Sequence, residues 1–131
     1  MTTRDWGASL QDFLNDCVEG RITDQREALF SFAGLIDDAP PEFAALFERS
    51  ITKQRLGELC DVKAYANAAI EMIGPSCGFL VTRSASGSAS ALVTISSDVE
   101  EGNFFGDDPA IALLGACARA MQLVMAGPRL N

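Results

Sequence analysis

At Gly74-Pro75 the hydrophobic pattern of this chain changes period, and that change constrains the fold more than any other feature. Before it, apolar residues recur three and four positions apart, the spacing of one face of an α-helix. After it come Gly78-Phe79-Leu80-Val81-Thr82-Arg83 and Ala91-Leu92-Val93-Thr94-Ile95-Ser96, two runs rich in strand formers. The small-residue stretch Ser84-Ala85-Ser86-Gly87-Ser88-Ala89 separates them, so a β-hairpin turning at Gly87 is predicted. A third strand is expected near Glu101 to Gly106, carrying Phe104 and Phe105. Asp107 or Asp108 then caps a last helix, with Pro109 in its first turn and Ile111 to Met125 continuing it.

The first half reads as punctuated helices. Ser9-Leu10-Gln11-Asp12 approximates a capping box, and Leu10, Phe13, Leu14, Cys17 and Val18 form the apolar stripe behind it, closed by Gly20. A second helix starts at Thr23 or Asp24, buries Leu29, Phe32, Ala33 and Ile36, and ends before Asp37-Asp38-Ala39-Pro40. Pro40-Pro41 suits a helix start, with Phe43, Leu46, Phe47 and Ile51 as a third stripe. A short helix follows around Thr52 to Leu59. Asp61 is read as the cap of a further helix through Ile73, with Val62, Tyr65, Ala66, Ala69, Ile70 and Ile73 on one face. The expected class is therefore α+β. Residues 1–60 form a helical cap or arm, and residues 61–131 an α-β-β-β-α unit with a three-stranded antiparallel sheet; the two can also make one continuous domain. Such a sheet has one face for helices, and its other face or an edge is left for a partner or a homodimer contact.

Composition narrows the function. The 131 residues are 48% apolar and 21% charged, enough for a core, and 10 Lys+Arg against 18 Asp+Glu give a net charge of −8. There is no histidine, which removes serine triads, Cys–His dyads and HExxH zinc sites together. The negative charge opposes direct docking on nucleic acid or on anionic membranes. Cys17, Cys60, Cys77 and Cys117 form no CxxC pair, and free thiols suit a reducing cytoplasm, where each acts as a small hydrophobe. The polar opening Met1-Thr2-Thr3-Arg4-Asp5 is not that of a secretory signal, and the apolar run from Ile111 is interrupted by Arg119 and Gln122, too short for a membrane span.

The entry to the first strand is Ile73-Gly74-Pro75-Ser76-Cys77-Gly78-Phe79, and the entry to the last helix is Gly106-Asp107-Asp108-Pro109-Ala110-Ile111-Ala112-Leu113-Leu114. On these two stretches the second half resembles the phage ABA-sandwich domain family of small phage and prophage proteins. The resemblance covers about residues 61–131, brings no catalytic residues, and implies an origin in phage or mobile DNA.

The candidate site is acidic. Asp98, Glu100, Glu101, Asp107 and Asp108 put five negative charges and no positive one within eleven residues, and Asp37, Asp38 and Glu42 make a second spot. Such carboxylates can imitate phosphates toward a basic groove; helix capping and turn formation also account for them. Neither the DxDxDG calcium pattern nor a GxSxG elbow is present, so no metal, no cofactor and no catalytic residue is expected. Arg49, Lys53 and Arg55 are read as pairing along a helix with Glu48 and Glu58, and Trp6 as tucking onto the helical half. The expected function is that of a non-enzymatic interaction protein, for example an anti-CRISPR-like inhibitor occupying the basic nucleic-acid-binding surface of a host protein. The alternatives are an assembly accessory acting through oligomerisation and a metal-dependent carboxylate hydrolase.

Overall fold

The first helix starts earlier than its apolar stripe suggests. The Asp5 N–H donates to Thr2 Oγ1 (3.1 Å), so Thr2 caps α1 (Thr3–Val18), and the turn holding Trp6 is helical. The structure is a computed structural model that describes residues 2–22, 24–45, 51–75, 77–95 and 102–126. The predicted apolar positions Leu46 and Phe47 lie outside these.

Asp24 caps α2 (Gln25–Asp37) by accepting from the Glu27 N–H, and Leu29, Phe32, Ala33 and Ile36 are buried as the spacing predicts. Pro40-Pro41 opens α3 (Pro41–Ala44), and Thr52 caps α4 (Lys53–Asp61). Asp61 is the last residue of α4 rather than a cap. Lys63, with φ of +60°, turns the chain, and α5 (Tyr65–Ile73) begins four residues after Asp61. Val62 consequently sits at the corner, 73% exposed, instead of joining the buried face. Arg55 feels its expected partner Glu58 but reaches further: its guanidinium spans to Glu71 of α5 (3.3 and 3.2 Å), tying two helices together, while Arg49 and Glu48 lie outside the described residues. Trp6 is fully buried, its indole N–H donating to the Leu35 carbonyl (2.8 Å).

The hairpin forms where predicted. In β1 (Cys77–Arg83) and β2 (Ala89–Ile95), Cys77 pairs with Ile95 and Arg83 with Ala89. The Gly87 N–H donates to the Ser84 carbonyl and the Ser84 N–H to the Ser88 carbonyl. This three-residue loop needs a left-handed residue, and Gly87 supplies it at φ of +97°. β3 (Gly102–Gly106) pairs antiparallel with β2, giving the order β1-β2-β3. The last helix, α6 (Pro109–Met125), is capped by Asp108 and has Pro109 at its first position.

From Ala110 to Ala118 α6 is apolar around its whole circumference because it is enclosed there. Its contacts run to β2, β3 and, to a lesser extent, β1 on one side and to α1, α2 and α5 on the other. One contiguous core, from Trp6 to Met121, draws on both halves of the chain. The helices lie to one side of the sheet, and the sheet's outer face carries no further layer among the described residues.

Candidate functional site

Strand alternation decides which residues reach that outer face. Ala89, Ala91, Val93 and Ile95 of β2 are buried, while Ser90, Leu92 and Thr94 between them point the other way, half-buried. Register sets Leu80 and Leu92 side by side on this face, and next to them the row Thr82, Ser90 and Phe105. Leu80 is 61% and Phe105 76% exposed. At the end near the turn, a depression of about 500 Å³ is lined by Thr82, Ser84, Ser88, Ser90, Phe105 and Asp107, among others. Its hydroxyls partly satisfy one another: Thr82 and Ser90 lie 2.6 Å apart, and Ser84 reaches both Ser86 (2.7 Å) and Ser88 (2.8 Å). The result is an apolar and hydroxyl-bearing surface with an exposed carboxylate, Asp107, at its rim.

The predicted acidic residues divide into several roles. Asp98, Glu100 and Glu101 lie outside the described residues. Gly102 and Gly106 are at opposite ends of β3, about 13 Å apart at strand rise, so Asp107 and Asp108 follow the far end of that strand from residue 102. Asp108 accepts from the Ile111 N–H (2.9 Å) and from the Gln25 amide (3.1 Å), so it holds α6 and the start of α2 together. Asp37 pairs with Lys53 (3.9 Å), and Asp38 is the exposed residue closing α2. Glu42 accepts from the Thr3 hydroxyl, and that hydrogen bond, with one from its own backbone, holds its carboxyl below the usual carboxylate range.

Among the described residues, Asp108 lies apart from Asp37 of the second acidic spot. Asp108 meets the first residue of α2, Asp37 is its last, and twelve residues of helix separate those ends by about 18 Å. The Gln25–Asp108 contact instead brings Asp24 and Glu27, exposed in the first turn of α2, near Asp108. Sequence reasoning did not single these two out, since they are more than eighty positions from their neighbour. Nor did it single out Leu80. In Phe79-Leu80-Val81 every residue is apolar, so only the register with β2 shows which one faces outward.

All four thiols are free. Burial, then the neighbouring Asp16 carboxylate, pushes the Cys17 thiol up to about 11. Cys77 and Cys117 hydrogen-bond to each other, which lowers the former and, together with burial, raises the latter. Among the described residues, no group of three or more His, Cys, Asp or Glu side chains is placed to hold a metal ion, and no helix is long and apolar enough to cross a membrane. No family model, curated protein or solved structure matches this chain.

Proposed function

We propose that this chain is a non-enzymatic interaction protein that binds a partner protein through the outer face of its sheet. The observation that carries the reading is the exposure of Leu80 and Phe105, 61% and 76%, on a sheet face where they flank the paired hydroxyls of Thr82 and Ser90. Burying a Leu or Phe side chain is worth about 1.5–3 kcal/mol, and rigid aromatic anchors beside polar groups are typical of binding surfaces. Asp107 stands at the rim, exposed and without an ion pair among the described residues. With the net charge of −8, it favours a partner bearing Lys and Arg around an apolar patch. A basic, nucleic-acid-binding face of a host protein has that chemistry, and the resemblance to phage proteins supports the same class of partner. Competition with phosphate would then explain an acidic chain of this size with no histidine.

The test replaces Phe105 with a photo-crosslinking phenylalanine in a bacterial lysate, with the same replacement at Val18, exposed on α1, as control. The expected result is one protein captured from position 105 and not from position 18, its crosslinked peptide beside a basic surface, and loss of capture in Asp107→Lys and at high salt. Equal capture from both positions, or none from 105, overturns the reading.

A further inference from the structure

We propose that β1 is the edge through which two copies of this chain pair, antiparallel and two-fold symmetric about Leu80, to form a continuous six-stranded sheet. The proposal rests on the backbone edge of β1 and shares only Leu80 with the outer-face reading, which Phe105 tests separately. Hydrogen-bonded pairs alternate along an antiparallel ladder. Because the Ser84 N–H reaches the Ser88 carbonyl, Thr82, Leu80 and Gly78 direct their backbone groups to β2, and Phe79 and Val81 direct theirs outward. Natural edges are protected by Lys, Pro, a bulge or very short length. β1 is seven residues long, pairs in unbroken register, and has a single charge, Arg83, at its end. The helical layer reaches this strand only in part: Cys77 and Val81 are half-buried against the core, while Phe79, on the same helix-facing side, is 43% exposed. Among the described residues, space is therefore left beside Phe79 on one face and Leu80 on the other.

Charge selects a second copy as the occupant. Between Glu71 and Asp98 the only charged residue is Arg83, so in a chain of net charge −8 the β1 strand brings no carboxylate of its own to oppose that of a second copy. A two-fold centred on Leu80 lets the outward groups of Phe79 meet those of the partner's Val81, and the converse. Leu80 then faces the partner's Leu80 at the close, non-hydrogen-bonded spacing of about 4.5 Å between Cα atoms. Thr82 falls opposite the partner's Gly78, which has no side chain to obstruct it. The two arginines end about 20 Å apart, beyond a Debye length. A two-fold of this kind closes, so assembly stops at two.

Sedimentation equilibrium of the whole chain from low micromolar to submillimolar concentration tests this, under reducing conditions. The expected result is a concentration-dependent shift from 13.9 kDa to twice that mass. Leu80→Lys, which sets two like charges opposite each other at an already exposed position, weakens the dimer about tenfold, while Val62→Lys does not. Circular dichroism verifies that both variants fold. In a second arm, Leu80→Cys crosslinks to a covalent dimer under mild oxidation faster than the parent chain. A monomer at every concentration overturns the proposal, as does growth beyond two copies, a dimer indifferent to Leu80→Lys, or no gain in crosslinking from Leu80→Cys.

Discussion

Gly115 has no room for a methyl group. A β-carbon there would lie 2.7 Å from the ring of Phe104, which is buried between β3 and α6 with the Arg119 guanidinium over it at 5.9 Å. In an isolated helix, Gly→Ala gains about 1 kcal/mol. Here the clash dominates, and Gly115→Ala is expected to cost about 1–3 kcal/mol in urea unfolding. Combining it with Phe104→Leu should recover part of that loss, because the two residues share one space. A Gly115→Ala chain as stable as the parent would show that the ring does not fill this gap. Nothing in Leu113-Leu114-Gly115-Ala116 announces the constraint, whereas Trp6 was legible as a buried ring from its size and position. The difference is that burying the Trp6 ring removes a large apolar area from water, which its size alone announces, but a close approach exists only once β3 lies on α6.

The elements show the same division. Asp24, Thr52 and Asp108 cap helices by hydrogen bonds spanning three residues, and such local chemistry can be read from the chain. Asp108→Ala is expected to cost about 0.5–2 kcal/mol, because α6 loses its cap. Loss of the Gln25 contact adds to this. Asp108→Ser should retain part of the stability, as thermal unfolding followed by circular dichroism will show. Equal stability of Asp108→Ala and the parent would remove the cap from the account. This dependence is why Asp107, not Asp108, is the position for testing partner binding by charge reversal. Where the reading missed, the signal was local but ambiguous. Thr2 and Ser9 both precede a helical pattern, and only the burial of Trp6 against Leu35 decides for Thr2. Asp61 was an equally good cap and helix end until Lys63 turned the chain.

At the scale of the molecule, α6 makes the two halves interdependent. Trp6, Leu10, Phe13 and Leu14 of α1, with Leu29 and Phe32 of α2, belong to the same core as α6. A fragment of residues 61–131 alone would expose the side of α6 they cover. It is expected to give poorly dispersed amide NMR signals and no cooperative thermal transition; a dispersed spectrum would show that the second half is self-sufficient. The candidate site was legible only in part, since the charge was evident but its arrangement was not. The run from Asp98 to Asp108 is dense in sequence, yet β3 extends between Gly102 and Gly106, and Asp108 finds its neighbour at Gln25. By itself the sequence determined the order of helices and strands and the hairpin at Gly87, and it narrowed two helix caps to Thr23 or Asp24 and to Asp107 or Asp108. Those depend on residues within a few positions of one another. Only the tertiary structure decided which sheet face stays open, which side of Phe79-Leu80-Val81 is outward, and which carboxylates share a surface. Those follow from strand register and helix packing, which join residues tens of positions apart and have no local signature.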